Sequence, residues 1–282
     1  MAGVSEERSL YVEARGLRLR AVVWGRDDDP TLVLVHGNGA HAHWWGPVVP
    51  AFVPGWRVVA PDLRGHGESG WPAAPDYGMA DFHADLATVV DQLAPGPIAL
   101  IGHSMGGRIA LWYAAHHPER VRTLAMLDAR LEHIVPEEAA RYRKKAEPGE
   151  RAGRGYATRE AALAAFRFVP EEADVPPDVV AMLAEHAIVE RGAGDWAFRF
   201  DRGVLRFEVA GGVARFLPRV PCPTLVANGR ESWVLDAAAR ARIVAALPRG
   251  VGREFPGAHH FVVSHAGEVG RELRRFVDGA AR

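Results

Sequence analysis

The chain has 282 residues, of which 48% are hydrophobic, and this is enough for one large α/β domain with an insertion or for two small domains. Its 34 basic and 35 acidic residues leave a net charge of −1, so charge gives no reason to expect nucleic acid or a membrane surface as a partner. The single cysteine, Cys222, excludes an internal disulfide framework.

The N-terminal segment "MAGVSEERSLYVEARG" has no basic stretch followed by an apolar one, so no signal peptide is predicted. No apolar run in the sequence is long enough to span a membrane. We therefore expect a cytoplasmic monomer or homodimer that acts on a small-molecule substrate. The first two predicted strands, "SLYVEARG" and "LRLRAVVWG", alternate in polarity with no helix between them, which favours an antiparallel hairpin at a sheet edge.

Later strands and helices alternate along the chain. Continuously apolar, β-branched segments predict strands that are buried on both faces of a parallel sheet, at 31–37, 56–62, 98–104, 121–129 and 223–229. Apolar residues at helical spacing predict helices between or after them, at 81–93 with Asp81 as N-cap, 105–117, 237–247 and 266–278. This alternation predicts an α/β fold, a doubly wound sheet with right-handed crossovers.

The alternation stops between about 131 and 216. Three segments there predict helices: "PEEAARYRKKAE", "TREAALAAFRF" and "PPDVVAMLAEHAIVE". An insertion at this point would lie above the carboxyl edge of the sheet, where open α/β sheets bind ligands. We therefore divide the chain into a core of residues 1–130 and 217–282 and a helical cap, or lid, of residues 131–216.

The stretch "GHSMGG" at 102–107 indicates a nucleophile. Its Gly-x-Ser-x-Gly pattern falls between a predicted strand and a predicted helix, which is the context that this motif requires. A sharp turn there would expose the hydroxyl of Ser104. It would also leave the amide of Met105 free at the helix N-terminus to stabilise an oxyanion.

The loop "HGNGA" at 36–40 predicts the second oxyanion donor, the amide of Asn38. The overlapping pattern "GNGAHA", with Asp62 ending the next strand, also fits a dinucleotide site. Pro47 and Pro50 interrupt the long helix that such a site needs, which argues against a nicotinamide-dependent oxidoreductase.

Four motifs, "HGNGA", "DLRGHGES" (62–69), "GHSMGG" and "PGAHHF" (256–261), resemble the α/β-hydrolase superfamily in order and spacing. The resemblance covers nearly the whole chain and is weakest in 131–216. It implies a mostly parallel eight-stranded sheet with helices on both faces and a helical cap after the sixth strand. No cofactor or metal is expected, since the histidines of "HAH" (41–43) and "HH" (116–117) lack further metal ligands.

A general base must reach the serine hydroxyl, and "PGAHHF" offers His259 and His260. In the superfamily, the histidine directly before an apolar or aromatic residue of this loop is the base. The resemblance therefore implies His260, which precedes Phe261, and leaves His259 as a loop residue without a chemical role.

The acid that orients the histidine is open among three residues. In the superfamily it usually lies three residues past a glycine after the seventh strand, but that position holds Ser232, which carries no charge. Asp128 ends the sixth predicted strand, which is the alternative acid position in the superfamily, and an aspartate at the end of a buried strand needs a partner. Glu231 is second, and Asp236 is third because it fits a helix N-cap.

The chemistry that follows is hydrolysis of small carboxylic esters or lactones with an apolar or aromatic group, through an acyl-enzyme. Trp44, Trp45 and Trp233 are predicted to line the substrate pocket. The same triad also supports hydrolysis of C–C bonds, thioesters or amides, and a non-catalytic binding module stays open as well. An aspartate nucleophile would have suggested a dehalogenase or an epoxide hydrolase, and Ser104 argues against both.

Overall fold

An eight-stranded, mostly parallel sheet forms the centre of the computed structural model, which describes residues 7–74, 77–131, 153–206 and 212–279. The strands are β1 (Arg8–Ala14), β2 (Leu17–Trp24), β3 (Thr31–Val35), β4 (Arg57–Pro61), β5 (Ile98–His103), β6 (Val121–Leu127), β7 (Ile188–Gly192), β8 (Asp195–Phe198), β9 (Thr224–Gly229) and β10 (Gly250–Phe255). The sheet order is β1-β2-β4-β3-β5-β6-β9-β10, and β7 pairs with β8 in a separate hairpin.

The predicted strands and the edge hairpin are present. β1 and β2 pair antiparallel, β2 continues antiparallel to β4, and the pairs from β4 to β10 are parallel. Every residue of β3, β4 and β5 is buried, which explains their uninterrupted apolar sequences. The apolar pattern predicts no strand at β10, because most of its residues are exposed and backbone pairing with β9 at the sheet edge leaves no apolar signature.

The helices are α1 (Met79–Leu93), α2 (Met105–His116), α3 (Arg159–Ala164), α4 (Pro177–Ala187), α5 (Ala237–Ala246), α6 (Phe261–Ser264) and α7 (Ala266–Gly279). The four predicted helices of the core occur within two residues of their predicted ends. The predicted N-cap of α1 is wrong. Gly78 is the N-cap, and Asp81 reaches back to accept the Gly78 N–H at 3.2 Å.

Two short 3₁₀ helices, Ala42–Trp45 and Val49–Ala51, connect β3 to β4. No long α-helix follows the glycines of "GNGAHA", so the crossover lacks the helix of a dinucleotide site. Asp62 is fully buried and accepts the N–H groups of Ala42 at 2.7 Å and Glu68 at 3.0 Å. It therefore holds these two loops together and is not free to bind a ribose.

The insertion after β6 contains α3, α4 and the β7–β8 hairpin. The prediction of helix through residue 190 is wrong at its end, because the β-branched Ile188 and Val189 pair with Phe198 and Ala197 across the hairpin. The predicted helix at 136–147 lies outside the described residues. Beyond the hairpin, Asp201 accepts a hydrogen bond from the Tyr77 hydroxyl at 2.5 Å. This part of the insertion therefore packs on the core.

Apolar side chains fill both faces of the sheet. Val33 and Val35 of β3 point into one core cluster, whereas Leu32 and Leu34 point into the other. The two layers hold the strands rigidly and bring the carboxyl ends of β3, β5, β6 and β9 to one edge. Within the described ranges, none of the helices is both long and apolar enough to cross a bilayer.

Candidate active site

Ser104 occupies the turn between β5 and α2 with a backbone φ of +55°, a region that non-glycine residues rarely adopt. The glycines around it are required by contact. A Cβ on Gly102 would lie 2.3 Å from the Gly106 carbonyl oxygen, and one on Gly106 would lie 2.2 Å from the Val35 carbonyl oxygen. The strand and helix therefore meet at a sharp angle that leaves the Ser104 side chain part-exposed.

A line of hydrogen bonds runs from Ser104 to a buried carboxylate. His259 Nε2 lies 3.0 Å from Ser104 Oγ, and His259 Nδ1 lies 2.6 Å from Asp128 Oδ2. Asp128 follows β6 directly, has a φ of +47° and is fully buried. The three residues come from three separate turns at the carboxyl edge of the sheet. The arrangement can remove a proton from a hydroxyl.

The prediction that His260 contacts the serine is therefore corrected to His259. The backbone N–H of His260 donates to Glu172 Oε2 at 2.7 Å. Its ring packs against Trp44 and Phe168, with centroids 5.0 Å and 5.6 Å away, and neither ring nitrogen makes a hydrogen bond within the described part of the chain. His260 thus packs where the apolar residue after the base usually packs. The rule that the base precedes an aromatic residue therefore indicated His260, one position after the histidine that contacts Ser104.

Ser232 holds the position where an acid is usual, and it donates a hydrogen bond to Asp128. Its hydroxyl donates to Asp128 Oδ2 at 2.5 Å, and the Gly229 N–H donates to Asp128 Oδ1 at 3.3 Å. Glu231 is exposed, and Asp236 accepts the Ala239 N–H at 2.6 Å as the N-cap of α5. The serine three residues past Gly229 was the available sequence signal for this contact.

Burial shifts the pKa values of Asp128 and His259 in opposite directions. Burial raises the pKa of Asp128, a rise that the hydrogen bond from Ser232 opposes, and burial lowers the pKa of His259. A lowered imidazole pKa keeps His259 neutral, which is the form that accepts a proton. With Nδ1–H donating to Asp128, Nε2 presents its lone pair to the serine hydroxyl.

The loop after β3, which contains Asn38, packs against the nucleophile through Gly37. A Cβ on Gly37 would lie 3.1 Å from Ser104 Cβ, and the Gly39 N–H donates to His66 Nε2 at 3.1 Å. Considering only the residues that the structure describes, the amides of Asn38 and Met105 donate no hydrogen bond within the protein. Both are therefore available as oxyanion donors.

His103 and Glu172 also contribute to the site, although no sequence motif indicates them. His103 lies just before Ser104, and its Nε2 is 2.8 Å from the His259 carbonyl oxygen, so it supports the histidine loop from the core side. Donor atoms of His103, His259 and His260 come within 4.8 Å of one another. This group fits a metal ion poorly, because the His259 nitrogens already contact Ser104 and Asp128.

The three predicted pocket tryptophans lie in different surroundings. Trp45 is buried in the core, so its assignment to the pocket is corrected to a packing role. Trp233 is 57% exposed. Trp44 packs its ring edge-on against Phe168 of the insertion, 5.4 Å between centroids, and it joins the insertion to the histidine loop.

Two buried histidines around the Asn38 loop make stability depend on pH. His36 Nε2 and His66 Nε2 accept backbone N–H groups, and burial lowers the pKa of His36 to about 4 and of His66 to about 3. Between these values and 6.5 the unfolded chain binds the protons, so the free energy of unfolding falls as the pH drops. Each imidazole contributes about 2 kcal/mol to the loss between pH 8 and pH 5.

Urea titrations of His66→Gln test this contribution, since glutamine also offers a donor and an acceptor. We expect the variant to lose about 2 kcal/mol less than the wild type between pH 8 and pH 5. The exposed His116 provides the control, and His116→Gln should follow the wild type. Equal losses in all three proteins would contradict the neutral state of His66.

Comparison with known proteins agrees with this fold. A family model described as the alpha/beta hydrolase fold matches residues 30–167. A fluoroacetate dehalogenase of Burkholderia sp is 29% identical over 301 aligned positions that cover 97% of this chain and 94% of that protein. The magnesium-chelatase 30 kDa subunit of Rhodobacter capsulatus is 38% identical over 110 residues, or 39% of this chain, and the match spans only 38% of that protein.

The solved structure of E-2-(acetamidomethylene)succinate hydrolase superposes with a TM-score of 0.82 at 21% identity, covering 97% of this chain and 100% of that one. This likeness covers nearly the whole chain, whereas the matched family model reaches from the strand before Asn38 into the insertion. The expected eight-stranded fold is thereby confirmed. The matched family model and the superposition together show that the chain has the α/β-hydrolase fold.

Proposed function

We propose that the protein is a serine hydrolase that acts on small carboxylic esters or lactones with an apolar or aromatic group. The observation that carries the proposal is the 3.0 Å contact between His259 Nε2 and Ser104 Oγ, with Asp128 on the other ring nitrogen. A neutral imidazole in this position turns a weak hydroxyl nucleophile into one that attacks a carbonyl.

The reaction follows from these positions. His259 takes the proton of Ser104 as Oγ attacks the carbonyl carbon, and the amides of Asn38 and Met105 stabilise the oxyanion. His259 then protonates the leaving alcohol, and Asp128 stabilises the imidazolium in between. Water activated by the same ring attacks the acyl-enzyme and returns the free serine.

Similarity to a fluoroacetate dehalogenase does not favour dehalogenation here, because the proposed nucleophile, Ser104, carries a hydroxyl group. Displacement of a halide by Oγ at a saturated carbon would form an ether. An ether has no carbonyl for water to attack, so the enzyme would be consumed after one turnover. Attack of Ser104 on a carbonyl instead gives an acyl ester, which the imidazole and water hydrolyse.

Apolar side chains support the substrate class. Phe166 and Phe168 of the insertion pack edge to face at 5.4 Å, and Phe168 also contacts Trp44 beside the histidine loop. Their proximity to His260, the neighbour of the proposed base, favours substrates with an apolar or aromatic portion over strongly charged ones.

Covalent labelling tests the proposal. We expect a fluorophosphonate to add one adduct to the wild type, located on the peptide that contains Ser104, and to leave Ser104→Ala unlabelled. A panel of chromogenic short-chain and aryl esters, with lactones followed by proton release, should show turnover by the wild type alone. An unlabelled wild type, or Ser104→Ala hydrolysing the panel at the wild-type rate, would refute the proposal.

A further inference from the structure

Glu172 lies in the insertion, between α3 and α4, yet its carboxylate contacts the core. The residue is 8% exposed. It accepts the Ala258 N–H on Oε1 at 3.0 Å, the His260 N–H on Oε2 at 2.7 Å and the Ser264 hydroxyl on Oε1 at 2.8 Å. Glu172 of the insertion thus accepts hydrogen bonds from the backbone N–H groups of Ala258 and His260, which flank a single residue of the core.

That residue is His259. A carboxylate that binds two amides with its two oxygens fixes the backbone between them in position and direction. On the other side, His103 Nε2 lies 2.8 Å from the His259 carbonyl oxygen. The histidine is therefore held from the insertion by Glu172 and from the core by His103.

The approach of the carboxylate depends on Gly257. This residue has a φ of +93°, and a Cβ there would lie 2.9 Å from Glu172 Oε1. Any side chain at 257 would strain the turn and push the carboxylate away. Glycine at position 257 is therefore required for the close contact between this turn and the Glu172 carboxylate.

We propose that Glu172 is a positioning residue, by which the insertion holds the His259 ring in line between Ser104 and Asp128. The inference rests on the proposed function, since it assigns Glu172 a role through the proposed base. Displacement of a catalytic group by about 1 Å can cost about 100-fold in rate, so the two amide bonds carry a measurable part of kcat.

The charge of Glu172 provides a second readout. Asp128, His103, His260 and Glu172 are the titratable groups around the His259 ring in the described part of the chain. The negative charge of Glu172 raises the pKa of His259 against the larger effect of burial. Loss of this charge makes protonation of the Asp128–His259 pair harder, so the acid limb of kcat/KM moves to lower pH.

Two substitutions separate the effect of the length of the Glu172 side chain from the effect of its charge. Glu172→Gln keeps the length but can no longer accept from both amides, and it loses the charge. We expect kcat to fall about 10- to 100-fold, with little change in KM, and the acid limb to move to lower pH. Glu172→Asp keeps the charge but is too short for both amides, so kcat should fall comparably with the acid limb close to that of the wild type.

The exposed neighbour Glu171 gives the matched control, and Glu171→Gln should equal the wild type in rate and pH profile. Rates are measured per folded, fluorophosphonate-reactive enzyme. If Glu172→Gln does not fold, the aspartate variant decides alone. Wild-type kcat in the Glu172 variants with only a lower Tm would overturn the inference and make Glu172 a simple tether. An unreactive wild type would instead refute the proposed function.

Discussion

Substitution of His259 by glutamine is expected to lower kcat/KM for ester hydrolysis by about 10⁴- to 10⁶-fold, since the serine then has no base within reach. His260→Phe should stay within about tenfold of the wild type, because phenylalanine preserves the packing against Trp44 and Phe168, and among the described residues the His260 ring makes no hydrogen bond to Ser104 or Asp128. The measurement is a steady-state ester assay with folding checked by circular dichroism.

The two adjacent histidines are matched controls for one another. Both are buried, and they share one loop, so a general effect of altering this loop would affect the two variants alike. A His260 variant that is folded but inactive, beside an active His259 variant, would reverse the assignment. Comparable large losses in both would instead indicate a general effect of altering the loop and would contradict the separate roles assigned to the two rings.

Asp128→Asn is expected to lower kcat by about 10⁴-fold, by analogy with other serine triads. An asparagine can donate its amide hydrogen to His259 Nδ1, which places the ring proton on Nε2 and turns a donor toward Ser104. Nucleophile activation then fails although the shape of the site is preserved. The measurement is kcat for an activated ester at neutral pH.

The rival acids provide the controls for Asp128. Glu231→Gln and Asp236→Asn should each retain activity within about twofold, because Glu231 is exposed and asparagine caps a helix as well as aspartate does. An active Asp128→Asn beside an inactive variant of either rival would contradict the proposed acid.

Sequence patterns located Ser104 and the strand that directly precedes Asp128, because both depend on local rules. The glycines around Ser104 are dictated by backbone contacts within a few residues, and a carboxylate ending a buried strand needs a partner. The choice between His259 and His260 depends instead on which ring faces the sheet edge. That direction is set by contacts with Glu172 and Trp44, which are distant in sequence.

Other features could not be predicted from local sequence patterns. The β7–β8 hairpin lies directly after α4, so its first residues continue an apparent helical pattern until the glycines of the turn. β10 is exposed and is specified by pairing with β9 rather than by its own residues. The sequence shows only that Ser232 carries no charge, because the contact with Asp128, which reaches the same point from the end of β6, depends on the fold.

The hydrogen bond between His259 Nδ1 and Asp128 can be observed directly by proton NMR of the wild type and the two histidine variants. The proton on His259 Nδ1, which lies 2.6 Å from Oδ2 of the buried Asp128, should resonate far downfield and exchange slowly. We predict that this resonance is absent from His259→Gln and present in His260→Phe. A downfield proton that persists in His259→Gln and is lost in His260→Phe would contradict the account.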